Sequence, residues 1–220
     1  TAAAGIAFAS QGDVSLIMKG HVHTDSLLRA VLNKEAGLRI GKRLSHVFHM
    51  SAPDSDRDFL ISDAALNVAP DRTTMLDIVR NSVLTAQALG MSAPKVACLT
   101  ASESVSTAMP LTEEAAWLAE QDFGSALVGG PFAFDNAVSE EAARIKGIDH
   151  PVAGQADVLV VPNIECGNIL FKSMVYLRGA TAAGLVLGAK VPVIVTSRAD
   201  PPAARLASVA LAAIVSNHTA

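Results

Sequence analysis

VPVIVTSRADPPAARLA, residues 191–207, is a mostly β-branched apolar run that passes directly into Thr196-Ser197-Arg198 and then into Asp-Pro-Pro. Its first part reads as a strand buried on both faces. Its last part reads as a helix, with Asp200 as cap and proline near the first helical positions. Strand–turn–helix is the repeating unit of a parallel sheet, so this stretch decides the fold class. It also places a hydroxyl and a guanidinium where a buried strand stops. An arginine there, beside a helix N-terminus, is well placed to hold a phosphate through paired hydrogen bonds, and the serine to bond a reacting group. The plainer reading pairs Arg198 with Asp200 and leaves Ser197 to satisfy backbone groups. The pattern alone weighs the two evenly.

The same alternation runs outward through the chain. Apolar bursts predict strands at 14–18, 46–50, 59–61, 96–99, 125–128, 158–161, 184–187 and 191–196. Helical patterns predict helices at 2–10, 25–32, 73–89, 112–121, 140–146, 168–178 and 203–217. This is an α/β protein with βαβ units around a mostly parallel sheet. The polar stretch SAPDSDRD (51–58) reads as a solvated loop and a possible domain change. Two further strand ends repeat the opening pattern, VSLIMKGHVHTDSLLRAVL (14–32) and VLVVPNIECGNILFKSMVYL (158–177). Ligands of open parallel sheets bind beyond the strands' carboxyl ends, where free N–H groups of the following helices favour anions. Three such turns, bringing Lys19, Arg29, Lys172 and Arg198, make a phosphate-friendly cleft.

Composition narrows the function classes. The 220 residues suffice for one large domain or two small ones, and half of them are apolar with only 4% aromatic. A core of Ala, Val, Ile and Leu suits strands covered on both faces. A net charge of −4 argues against nucleic acid as the main partner. No run reaches the ~18 apolar residues of a membrane span, and no signal peptide is recognisable. Cys98 and Cys166 lie far apart and read as reduced cytosolic thiols. The start at Thr1, without Met and inside an alanine-rich helix, is expected to belong to a longer protein.

Several motifs are missing or ambiguous. No GxGxxG follows a strand, and neither a P-loop nor a GxSxG elbow occurs. GHVH (20–23) and SHVFH (45–49) hold four of the six histidines, but without clustered acids or cysteines they do not make a metal site, and none is expected. GGP (129–131) reads either as a tight turn or as a close backbone approach to a ligand. Asp63 and Asn67 in ISDAALN are either turn formers or active-site polar groups. Cys166 has no recognisable base and reads as inert.

These strand ends carry a resemblance. The segments MKGHVHTDSLLRAVLNKEAGLRIGKRLSHV (18–47), LISDAALNVAPD (60–71), GGPFAFDNAVSEEAARIKGI (129–148), VAGQADVLVVPNIECGN (152–168) and GLVLGAKVPVIVTSRADPPAARLASVALA (184–212) resemble, in family order, the phosphate acetyltransferase/phosphate butyryltransferase family. The resemblance implies two α/β/α domains of the isocitrate/isopropylmalate dehydrogenase kind, with the active site in the interdomain cleft. It implies one domain from 1–50 and 170–220, the other from 51–169, and one or two βα units before Thr1. The implied reaction is reversible acyl transfer between coenzyme A and orthophosphate, by direct thiol attack in a ternary complex. Coenzyme A is then a substrate, and no cofactor is expected. The implied catalytic residues are Ser197, Arg198 and Asp200. Lys19, Gly20, Arg29, Asp63, Gly130, Pro131, Asn163, Gly167 and Asn168 would bind substrate. The expected partners are acyl-CoA or CoA and phosphate or acyl phosphate, with no nucleic acid or membrane, in a cytoplasmic homodimer. One departure matters: acetyltransferase members carry an acid several residues beyond the Ser-Arg pair, and ADPPAAR offers only Asp200, which also suits a helix cap. A non-catalytic acyl-CoA-sensing domain is the alternative of a different class. A dehydrogenase on this fold would need clustered metal-binding aspartates that the sequence lacks.

Overall fold

Each predicted strand and helix has a counterpart in the computed structural model, which describes residues 2–53, 55–197 and 199–219. Arg198 lies outside the described residues. Helix α1 (Ala2–Gln11) leads through β1 (Ile17–Met18) to α2 (Thr24–Val31). The strands β2 (Ser45–Ser51) and β3 (Phe59–Ser62) flank the polar stretch near 51–58. Next come α3 (Arg72–Ala88), β4 (Lys95–Leu99), α4 (Pro110–Ala119), β5 (Leu127–Phe132), the short α5 (Phe134–Val138) and α6 (Glu140–Ile145). The chain ends with β6 (Val158–Val160), α7 (Ile164–Arg178), β7 (Thr181–Leu187), β8 (Val193–Ile194) and α8 (Pro202–Thr219).

Local chemistry sets the helix ends. The Asp71 carboxylate accepts the Thr74 N–H at 2.8 Å to open α3, and the Ser139 hydroxyl does the same for Ala142 in α6. Pro110 stands in the first turn of α4, where its missing N–H costs nothing. Gly179, at φ 64°, stops α7 in the left-handed conformation that glycine adopts most readily.

The strands form one eight-stranded sheet in the order β1-β8-β7-β2-β3-β6-β4-β5. It is parallel along β3-β6-β4-β5 and between β1 and β8. Between these parts β2 and β7 run antiparallel, to each other and to their outer neighbours. The reason is connection length: 52–58 and 188–192 are too short for the crossover that a parallel pair needs. Three antiparallel steps reverse the strand direction across the sheet. The carboxyl ends of β1 and β8 therefore lie at the opposite edge from those of β3, β6, β4 and β5.

Both faces are covered, as a Val/Ile/Leu-rich sheet requires. Val47, Leu60, Val96 and Val158 pack under α3 and α4 on one side, and Met50, Ile61, Leu159 and Phe132 face α5–α7 on the other. Ile6, Leu27, Val31 and Val193 form a further cluster under α1 and α2. None of the described helices is long and apolar enough to cross a membrane.

Candidate active site

The turn after β8 is tied to itself. The Asp200 carboxylate accepts the Ser197 N–H at 2.6 Å, the Asp200 N–H donates to the Ser197 carbonyl at 3.2 Å, and the Ala199 N–H donates to Ser197 Oγ at 3.3 Å. Ser197 is exposed and stands just ahead of α8, whose first residue is Pro202. Asp200 thus serves the turn itself, ahead of the helix it was expected to cap.

The parallel pairing of β1 with β8 carries a second turn to the same place. The Lys19 N–H donates to the Ile194 carbonyl at 2.9 Å, so Lys19, Gly20 and His21 follow directly beside Thr196 and Ser197. Together with Met18 and Arg205 these residues line a cavity of about 370 Å³. Lys19 is half-buried, and its ammonium donates to the Val22 carbonyl at 3.4 Å. Arg205 was not singled out from sequence. Its signal was position: side chains one turn into a helix lean back over the N-terminal turn.

Ser197 also borders a second cavity, of about 390 Å³, between α7, β7 and the start of α8. Helix α7 starts beyond the carboxyl end of β6 and returns along the sheet for ~22 Å, bringing Lys172 and Tyr176 to the cavity wall. Thr196, Ser197, Asp200, Lys172, Thr181 and Ser208 bring polar groups to the lining, and Phe48, Phe171, Val175, Ala182 and Gly184 make much of the remainder apolar. The β7 edge here has no strand beside it, because β8 pairs with β7 only at Val186. Ser208 of α8 takes over, its hydroxyl accepting the Gly184 N–H at 2.9 Å. Phe48, Tyr176 and Ser208 were not picked out from sequence either, since nothing local distinguishes a cavity-lining apolar residue from a core one.

The remaining predicted residues stand elsewhere, and none lines either cavity at Ser197. Arg29 is exposed in the last turn of α2. Asp63 is buried and organises its own turn, accepting from the N–H groups of Ala65, Leu66 and Asn67 and from Asn67 Nδ2 at 2.7 Å. Asn163 caps α7 by accepting the Cys166 N–H at 3.0 Å. Gly167 lies against the turn after β3, where a Cβ would come within 2.8 Å of Ala64 Cα, and Asn168 Nδ2 donates to the Ala64 carbonyl at 3.4 Å. Gly130 and Pro131 belong to β5 itself and not to a turn. A Cβ on Gly130 would meet Cys98 Cβ at 2.8 Å. The reversal of strand direction explains the place of Asp63, Asn163, Gly167 and Asn168, which follow the carboxyl ends of β3 and β6, opposite those of β1 and β8.

Two titratable groups are strongly perturbed. Burial pushes the His46 imidazole down to about 4, partly opposed by the nearby Asp63 carboxylate. Burial alone pushes the Cys98 thiol up to about 12. Among the described residues, no group of three His, Cys, Asp or Glu side chains is placed to hold a metal ion.

Residues 1–213 match the family model described as Phosphate acetyl/butaryl transferase. The chain is 48% identical over 217 residues to the phosphate acetyltransferase of Rhizobium meliloti, which covers 97% of this chain and 69% of that protein. It is 43% identical over 213 residues to the phosphate butyryltransferase of Clostridium acetobutylicum, covering 95% and 71% respectively. The crystal structure of a branched-chain phosphotransacylase from Enterococcus faecalis V583 matches with a TM-score of 0.92 at 36% identity, over 99% of this chain and 79% of that one. The chain spans about two thirds of the length of the curated relatives it matches. These relatives are named as enzymes, so the non-catalytic alternative gains no support from them.

Proposed function

The chain belongs to the phosphate acetyl/butyryl transferase family, and from that premise we propose the reaction and the residues that carry it. The protein is an acyltransferase that moves a short acyl group reversibly between coenzyme A and orthophosphate. A phosphate oxygen attacks the thioester carbonyl carbon, and the carbonyl electron pair moves onto oxygen. Collapse of that oxyanion expels the CoA thiolate, which takes up a proton. In reverse, the thiol loses its proton and attacks acyl phosphate. Coenzyme A is a substrate throughout, and no covalent enzyme intermediate or cofactor is needed. Positioning two reactants and stabilising the developing charge suffice.

One observation carries this reading: Ser197 stands where a cavity containing Lys19 meets a cavity with an apolar wall. A thioester carbonyl at Ser197 has an anion site on one side and room for its acyl chain on the other. The Ser197 hydroxyl hydrogen-bonds the charge that develops on oxygen or sulfur. Lys19 and Arg198 hold the phosphate, Gly20 lets the backbone approach it, and Arg29 adds positive field from α2. Asp200 fixes the turn that presents Ser197.

The chain divides into two units, 1–50 with 170–220 and 51–169, of the isocitrate/isopropylmalate dehydrogenase kind, and both cavities at Ser197 are lined by residues of the first. The strand order supports this division. β1, β8, β7 and β2 are contiguous, β3, β6, β4 and β5 follow, and no strand of one set interleaves with the other. Asp63, Gly130, Pro131, Asn163, Gly167 and Asn168 belong to the second unit and stand apart from both cavities at Ser197. Two free cysteines fit a reducing cytoplasmic setting. Exposed Tyr176 and Leu177 on α7 offer apolar surface for a homodimer. The net charge of −4 fits a protein without nucleic acid as partner.

The test is an assay of the full-length protein with phosphate and acetyl-, propionyl- or butyryl-CoA, following thiol release and trapping acyl phosphate as its hydroxamate. Stoichiometric release and trapping are expected. Failure to form acyl phosphate from every ester overturns the reading.

A further inference from the structure

We propose that the cavity between α7, β7 and the start of α8 is an acyl subsite whose apolar lining selects acyl chains longer than acetyl. The proposal rests on the acyl-transfer reading above and assigns its specificity. The cavity's volume of about 390 Å³ is within the range of small-molecule sites. Thr196, Ser197 and Asp200 bring polar groups to its lining, and Phe48, Phe171, Val175 and Ala182 bring apolar ones. Phe48 and Phe171 stack there with ring centroids 4.1 Å apart and planes at 7°. Such a stacked pair makes a large, well-packed apolar surface.

Gly184 holds the Phe48 ring in the cavity wall. A Cβ at this position would come within 2.6 Å of His46 Cε1 and 2.8 Å of Phe48 Cε1. Any side chain here would displace both rings, so the shape of this wall depends on glycine. Ala182, two residues away along the strand, is a second small residue in the lining, and Val175 of α7 lines the same cavity. An acetyl group anchored at Ser197 leaves this apolar volume unfilled. Each further methylene leaves water for it, worth about fourfold in transition-state binding, or ~15-fold for the two that distinguish butyryl from acetyl.

The experiment measures kcat/KM at saturating phosphate for acetyl-, butyryl- and isovaleryl-CoA, in the wild-type protein and in Ala182→Leu and Val175→Phe. Thermal melts establish that each variant is folded. The wild-type butyryl-to-acetyl ratio is expected to be about 10 or more, and the folded variants should bring it down about tenfold. Phe171→Ala should move preference towards hexanoyl-CoA. A wild-type ratio near one overturns the proposal even if neither variant folds. So does an unchanged ratio in a folded variant whose KM for free CoA rises, which would place the pantetheine arm in the cavity. If no ester yields acyl phosphate, the transferase reading fails instead, so the two failures are distinguishable.

Discussion

The Asp200 carboxylate accepts the backbone N–H of Ser197 at 2.6 Å, closing the turn that presents the serine hydroxyl. A positioning role and a general-base role make different predictions here. Asparagine retains an acceptor oxygen, so Asp200→Asn should keep kcat within about tenfold, whereas Asp200→Ala loses the bond and should fall further. If Asp200 takes the thiol proton, both variants should fall together by about 10²–10⁴. Steady-state kcat with both acyl-CoA and acyl phosphate distinguishes the two.

His46 makes stability depend on pH. Burial holds the folded imidazole near 4, below its ordinary 6.5. Above about 6.5 it is neutral in both states and contributes no slope. As pH falls from 6.5 towards 4, the unfolded chain binds a proton that the folded chain does not. Stability therefore declines through that window, on the order of 3 kcal/mol, and the contribution is flat below it. Urea midpoints between pH 7.5 and 4.5 should fall more steeply for the wild type than for His46→Phe. Parallel curves would remove His46 as the cause.

The two cysteines should differ sharply towards a thiol reagent. Cys166 is exposed in the first turn of α7, while Cys98 is buried in β4 with its thiol pushed up to about 12. At pH 8 that leaves about one Cys98 in 10⁴ as thiolate, with no route for the reagent. Native protein should titrate one thiol promptly and the second only in denaturant. Two rapid equivalents without denaturant would contradict the burial.

Gly167 tests the contact between α7 and the turn after β3. In a helix, alanine normally gains about 1 kcal/mol over glycine. Here its Cβ would lie 2.8 Å from Ala64 Cα, a backbone atom that cannot step aside. Gly167→Ala should therefore destabilise by about 1–3 kcal/mol, visible as a lower denaturant midpoint with an unchanged slope. A stabilised variant would mean that the helix shifts freely.

Element types were legible because periodicity and caps agree locally, and pairing was less so. GGP suggested a turn, yet Gly129–Gly130–Pro131 lies in β5, where the sheet edge tolerates a proline that cannot donate. The five-residue α5 was missed because it is too short to develop a helical period. The antiparallel β2 and β7 look in sequence like any buried strand, and only their short connections betray the reversal. The site divides in the same way. Lys19, Lys172 and Ser197 could be read from strand ends and do border the two cavities. Phe48 and Tyr176 could not, because their role comes from tertiary packing, and Arg205 had only its place one turn into α8 to mark it. The resemblance pointed to Asp63, Asn163 and Gly167, whose visible bonds and contacts are to neighbouring backbone and core atoms.

The central claim is that the thioester carbonyl meets phosphate at the Ser197 hydroxyl, and Ser197→Ala tests it most directly. Turnover of the full-length variant with saturating acyl-CoA and phosphate should fall by about 10²–10³, the usual loss for one donor to a developing oxyanion, with an unchanged melting temperature. Wild-type turnover in a folded Ser197→Ala protein would contradict the account.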